Sequence, residues 1–292
     1  MEAALTDKEK EQRKKMLALF VALIHAMPVP EDREEALYQL AEMRAEIAIN
    51  KALLGFAVDE DEAIRLIQEL EIDDLTDKEK DQRDRLIVAI NNLINFCICE
   101  EYHLYKDILD LGIDNSDEDW QSDDEEFLEE YLALHKKYNE IYADVEDGDI
   151  EYAMTVAAWW ISLRKGQTLT YMTQNDERVR PWHFTLQGFT APKEDFPSWM
   201  IPPIEWACRC FLIVNDDMAS AKTDLSSIKA DFVRLNSGLL PEKPAELNGI
   251  FKESICKCGR IFSEEHPYFE VDADDEDMLT RFVERLRKKY YG

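Results

Sequence analysis

Through most of the first 165 residues, apolar positions recur with a helical period. After Leu5-Thr-Asp-Lys-Glu-Lys-Glu-Gln-Arg13, the residues Met16, Leu17, Phe20, Leu23 and Ile24 mark out one buried helix face. The same opening returns as Leu75-Thr-Asp-Lys-Glu-Lys-Asp-Gln-Arg83, followed by Leu86, Ile87, Ile90, Leu93 and Ile94 at the same spacing. Thr6 with Glu9, and Thr76 with Glu79, form capping boxes, in which hydroxyl and carboxylate each satisfy an orphan backbone N–H of the first turn. Both copies are expected to start helices. Between them, Glu31 to Phe56 follows the Pro28-Val-Pro30 break as a long helix, and Glu60 to Leu70 reads as a shorter one. The first 110 residues therefore predict an α-helical bundle. Helix is expected again over Glu125 to Ala143 and over Ile150 to Arg164, which carries Trp159 and Trp160.

The pattern changes after Gly166. Thr168 to Thr173 alternates as a strand does, and Pro and aromatic residues are frequent up to Val214, which predicts a compact mixed module. Beyond it come an expected helix from Ala219 to Leu235, a loop from Asn236 to Pro244 and a terminal helix from Asp277 to Tyr290. Arg285, Arg287, Lys288 and Lys289 suit the negative end of that last helix dipole, or form a basic tip for contact with protein or DNA. The expected fold is mainly α with a small α+β module. It has three regions: 1–147, acidic and helical with the repeat at 5–24 and 75–94; 148–215, the mixed module; and 216–292, a helical tail.

Composition narrows the partners. The 292 residues carry 63 acidic against 34 basic side chains, a formal net charge of -29. Such a field repels phosphate, so proteins or cations are the expected partners and nucleic acid is met only indirectly. A DNA mimic would array carboxylates along one elongated face, whereas here they are mixed with Lys and Arg in helices such as Asp7 to Lys15. Asp114 to Glu126 lacks the central Gly and the ligand spacing of a calcium loop and reads as a solvated acidic loop. Met16 to Met27 is too short to span a bilayer, and the opening residues are not those of a secretory signal, so neither membrane contact nor export is expected. The six cysteines fall in Cys-x-Cys pairs at 97/99, 208/210 and 256/258 and are expected to be reduced.

The chemistry concentrates between Thr170 and Leu212. Asp176-Glu-Arg178-Val-Arg180-Pro181-Trp-His183 is followed by Leu186-Gln-Gly188, by Asp195-Phe-Pro197-Ser-Trp199, and by Pro202-Pro203-Ile-Glu-Trp206-Ala-Cys208-Arg209-Cys210. Arg178, Arg180 and Arg209 offer planar forks to Asp176, Glu177, Asp195 or Glu205, partners that an irregular, Pro-rich chain needs. Asp176, Arg178, Arg180, His183, Cys208, Arg209 and Cys210 are thus expected to form one spatial cluster. His183 with Cys208 and Cys210 supplies three zinc-type ligands, and Cys256, Cys258 or His266 could add a fourth, although Cys-x-Cys is a less usual zinc spacing than Cys-x-x-Cys. The alternative is a hydrogen-bonded His beside two buried thiols. Cysteine-nucleophile chemistry would need a third, orienting group that the spacing does not identify. Trp182 and Trp199 are expected in the core rather than as base-stacking platforms, which sit in positive grooves.

This ordered run resembles the signature of the phage Mu F-like head morphogenesis family. There a strand leads into Asp-x-Arg-x-Arg-Pro-x-His, a Leu-x-Gly turn, a Pro-rich loop with an acidic residue, and a closing Pro-Pro and Cys-Arg-Cys. Gly249 to Ser254 and Gly259 to Phe269 are similar to the C-terminal segment of some members, with Glu253-Ser254 and Cys256-Lys-Cys258 replacing the expected Asn and Gly-Lys. The resemblance implies a non-enzymatic minor head protein, assembled in the host bacterial cytoplasm and carried in the virion head. Its implied partners are the portal and the major capsid or scaffolding proteins. A member joined to an effector or toxin activity is the alternative.

Overall fold

The computed structural model describes residues 5–69, 71–112, 125–215 and 254–291. The expected helix at Ala219–Leu235, the loop at Asn236–Pro244, and residues 114–124 of the acidic stretch lie outside them. The chain is mainly α-helical with one small antiparallel sheet. Its helices are α1 (Asp7–Ala26), α2 (Pro30–Phe56), α3 (Glu60–Ile64), α4 (Asp77–Asp110), α5 (Glu125–His135) and α6 (Ala143–Ser162), with short α7 (Pro181–Phe184), α8 (Ile255–Cys258) and a terminal α9 (Glu276–Tyr291). Strands β1 (Thr168–Met172), β2 (Thr190–Pro192) and β3 (Phe211–Val214) lie in the order β2-β1-β3.

Both repeats start helices through the same local chemistry. The Thr6 hydroxyl accepts from the Glu9 N–H at 3.2 Å while the Glu9 carboxylate accepts from the Thr6 N–H at 2.9 Å. Thr76 and Glu79 do the same at 3.3 and 2.9 Å. Two stretches depart from the expected pattern. The short helix α3 passes into a π-helical turn at Arg65–Glu69, and another π turn, Lys136–Tyr142, joins α5 to α6 without a break. Residues 144–149, expected to interrupt the helix, instead lie inside it, because Glu146 and Asp147 have Arg44 as a partner and Asp149 accepts from the Ala207 N–H.

The chain divides into two compact units that are not contiguous in sequence. One comprises residues 1–51, 90–147 and 267–292; the other comprises 52–89 and 148–266. One cut falls between Asp147 and Gly148, inside helix α6, while residues 52–89 and 267–292 group with the more distant parts of the chain.

The first unit is a helical core around Phe20, Leu23, Leu37, Leu40, Ile94, Phe96, Leu104 and Tyr131, all sealed from solvent. Helix α9 lays Leu279, Phe282 and Leu286 onto it, with Phe282 edge-on to Tyr38 at 5.3 Å. Arg281, Arg285 and Lys289 pair with Glu34, Glu35, and Glu42 and Glu46 of α2, and the Arg285 guanidinium stacks 3.6 Å from the Tyr38 ring centre. Arg285 and Lys289 of the basic end are therefore committed to α2, while Arg287 and Lys288 are exposed.

The second unit holds the sheet. Leu169 pairs with Ala191 and Val214, and Thr170 with Thr190 and Ile213, so β1 is central and buried on both faces. Phe189, Phe196, Met200, Ile204, Trp182 and Phe262 fill the space around it. Trp182 belongs to this core, as expected. The unit's segment of α2 meets α6 at Gly55, where a Cβ would lie 2.1 Å from the Glu151 carbonyl oxygen.

Candidate functional site

Three short pieces of chain converge in the second unit. Arg180, in extended conformation, caps α7, whose first residue is Pro181; its fixed φ and missing N–H suit a helix start. This turn directs His183 inward, with its ring 4.2 Å from Trp182 in an edge contact. Residues 205–208 form a tight turn closed by the Cys208 N–H donating to the Glu205 carbonyl at 3.1 Å. Its bend depends on Ala207 at φ 53°, a left-handed conformation that costs a non-glycine residue about 1–2 kcal/mol and is held by the Ala207 N–H donating to Asp149 at 2.8 Å. The turn delivers Cys208 and then Cys210, at the entry to β3, onto His183. The Tyr152 hydroxyl donates to the Cys210 carbonyl.

His183 Nδ1 lies 3.1 Å from Cys210 Sγ and 4.0 Å from Cys208 Sγ. On the other side of the ring, Nε2 lies 3.2 Å from Glu205 Oε2, which also receives Arg180 Nε at 2.9 Å. Arg180 in turn donates to the Trp206 carbonyl at 2.7 Å. Because a carboxylate only accepts, Nε2 carries the proton and Nδ1 faces the sulfurs. His183 and Cys210 are each 2% exposed and Cys208 is 4% exposed. The Tyr171 hydroxyl, also buried, lies against Cys210 and has no well-directed hydrogen-bond partner.

Electrostatics couple the three groups. The Cys208 thiol is lowered to about 4, first by the hydrogen bond from Cys210 and then by His183, against the effect of burial. Cys210 is raised by its hydrogen bond to Cys208 and by burial. Burial alone would lower His183, but hydrogen bonds to Cys208 and Glu205 outweigh it and raise it.

The remaining predicted residues lie at the rim. Arg209 makes a two-pronged pair with Asp176, at 2.6 and 2.8 Å, and Asp176 also caps the turn by accepting from the Arg178 N–H at 3.0 Å. The Arg178 side chain is exposed. His183, Cys208 and Cys210 thus meet directly, Arg180 joins them through Glu205, and Asp176 with Arg209 forms a separate surface clasp. Cys256, Cys258 and His266 do not join: Cys256 N–H and Cys258 Sγ bond to Ser254, and His266 stands edge-on to Trp206. Cys97 and Cys99 belong to α4 in the first unit.

Glu205 is the site residue whose role the sequence reading missed. It was recognisable only as an arginine partner; its place three residues before Cys208, at the start of the same turn, is the signal that ties it to His183. The line Glu205–His183–Cys208 has the order of an activated-thiol triad. Both sulfurs are buried, however, so an external substrate has no approach to them in this conformation. The other chemistry open to the group is metal coordination, since the three ligand atoms of His183, Cys208 and Cys210 all lie within 4.8 Å of one another.

Among the described residues, no helix is long and apolar enough to cross a membrane. Comparison with family models, curated proteins and solved structures gives no match to this chain.

Proposed function

We propose that this chain is a structural protein of phage head assembly, a minor head component of the Mu F-like type that docks on the portal or on the inner face of the procapsid. The observation that carries the reading is the ordered run from Asp176 to Cys210, whose uncommon residue types occur in the sequence order of that family's signature. Two physical features support it. The run's polar members are used to hold an irregular chain in place, through Arg180–Glu205–His183 and Arg209–Asp176, as a docking module requires. Its thiols are buried away from any substrate, which favours architecture over turnover. The strongly acidic composition suits protein partners such as the portal and the major capsid or scaffolding proteins, and disfavours adhesion to the packaged genome. The protein would then be assembled in the host cytoplasm and reside in the virion head. The aligned Glu205, His183 and Cys208 favour the second reading, an effector enzyme, if a rearrangement uncovers Cys208.

The test is a pull-down of the purified chain against the portal and capsid proteins encoded beside its gene, with Arg178→Ala and Arg209→Ala variants alongside. Retention of the portal by the wild type, weakened at least about tenfold by a rim variant that removes a hot-spot arginine, is the expected outcome. No retention by any head protein would sink the assembly reading and leave the effector.

A further inference from the structure

We infer that His183 Nδ1, Cys208 Sγ and Cys210 Sγ bind one zinc ion, with Glu205 orienting the histidine, so that the metal rivets the 205–210 turn to α7. The inference is independent of the assembly reading.

Four observations converge on it. First, the nitrogen-to-sulfur distances suit a tetrahedral centre. With Zn–S near 2.3 Å and Zn–N near 2.0–2.1 Å, tetrahedral N and S ligands stand about 3.5 Å apart. The observed 3.1 and 4.0 Å from Nδ1 to the two sulfurs bracket that spacing. Second, the ring is already oriented as a metal needs. Glu205 accepts from Nε2 at 3.2 Å, so Nδ1 is the nitrogen that faces the sulfurs and would ligate, and Arg180 fixes Glu205 in turn. A ligating histidine backed by a carboxylate is the usual outer shell of protein zinc.

Third, the charges balance. Binding releases two protons from the group to solvent, leaving two thiolates and a neutral imidazole that ligates through Nδ1. One Zn²⁺ with two thiolates is then neutral, and Arg180 with Glu205 outside it is neutral too. A neutral group is what a site this deeply buried can accept. Fourth, the Tyr171 hydroxyl is buried against Cys210 without a well-directed partner, and so stands ready as a donor to a coordinated sulfur or as the fourth ligand. Among the described residues no fourth His, Cys, Asp or Glu joins the group, so the last position falls to Tyr171 or to a water.

The soft-to-borderline S₂N donor set selects zinc over magnesium or calcium, which take oxygen. The Cys-x-Cys spacing that counts against zinc in an isolated turn is accommodated here because Cys208 ends the turn and Cys210 immediately precedes β3.

The experiment uses the full chain, purified from zinc-supplied cells, with metal content read by plasma mass spectrometry. The wild type and the half-exposed controls Cys99→Ser and Cys258→Ser are expected to carry ~1 zinc per chain, and Cys208→Ser, Cys210→Ser and His183→Ala to carry less than about a tenth of that. Exchange with Co²⁺ should give a thiolate-to-cobalt charge-transfer band in the wild type that Cys258→Ser keeps. If the ligand variants fail to fold, the wild type and Glu205→Gln decide. In competition with a chromogenic chelator, Glu205→Gln should bind zinc about 10–100-fold more weakly at an unchanged circular dichroism spectrum. Zinc-free wild type after zinc loading, a Cys208–Cys210 disulfide in the freshly purified chain, or equal zinc affinity in Glu205→Gln would each overturn the assignment. None of these readouts involves the portal, so the two proposals fail separately.

Discussion

At the scale of single residues, the most consequential side chain outside the site is Arg44. It is 1% exposed and distributes its guanidinium over Glu100, Glu146 and Asp147, each at 2.8 Å. Three acids surround this one base, and burial raises Glu100 well above its ordinary value and raises Glu146 as well, although the arginine lowers both. Arg44→Met keeps the volume and removes the charge. It should destabilise the protein by about 3–5 kcal/mol at neutral pH, measured by urea unfolding, because Glu100 and Glu146 are left buried without a cation. The pH dependence has a definite sign. A carboxyl raised above its unfolded value contributes stability that is fully present below the unfolded pKa and lost as pH rises through the folded one. The variant raises Glu100 and Glu146 further, so its deficit should be smaller near pH 5 than near pH 8. A deficit independent of pH would mean that Arg44 acts by packing alone.

At the scale of elements, what was legible was local. Capping boxes, helical periodicity and the strand at Thr168 depend on neighbours in the chain, and they stand as read, as does the mainly α fold with a small sheet. The π turns at Arg65–Glu69 and Lys136–Tyr142, and the continuity of α6 through Asp147 and Gly148, depend on side chains distant in sequence, which no local pattern carries. The site divides the same way. His183, Cys208 and Cys210 were legible because their donor chemistry is rare, whereas Glu205 and Tyr171 are common residues that acquire roles only when the turn and β1 place them. The two helical glycines among the described residues make the distinction testable. At Gly55 an added Cβ would lie 2.1 Å from the Glu151 carbonyl oxygen, but at Gly148 it would meet nothing within 4 Å. Gly55→Ala should therefore cost about 1–3 kcal/mol or more by forcing α2 and α6 apart. Gly148→Ala should stabilise by about 0.5–1 kcal/mol through helix propensity. Thermal unfolding of the two variants against the wild type should give shifts of opposite sign; shifts of the same sign would show that the close approach of Gly55 does not constrain α2.

At the scale of the whole molecule, the net charge of -29 sets up a competition between self-repulsion and the surface pairs that relieve it. Pairs such as Arg285–Glu35, Arg281–Glu34 and Arg13–Asp144 are half-exposed, and pairs of this kind contribute about 0–1 kcal/mol each. They engage only part of the 63 acidic side chains, and the excess over 34 basic ones is uncompensated whatever the pairing. Salt screens both terms, but unequally. Raising ionic strength from about 0.1 to 1 M shortens the screening length from about 10 to 3 Å, which removes most long-range repulsion while contacting pairs lose less. The Arg44 group, sealed from solvent, should respond little. The melting temperature should therefore rise with sodium chloride, by about 2–4 °C for each kcal/mol of repulsion removed in a chain of this size. The same field bears on partners: a protein limited by its own negative charge gains stability when a basic surface covers it. If the melting temperature instead stays flat or falls with salt, the surface pairs outweigh the repulsion, and a basic partner would have to be recognised through specific contacts rather than drawn in by net charge.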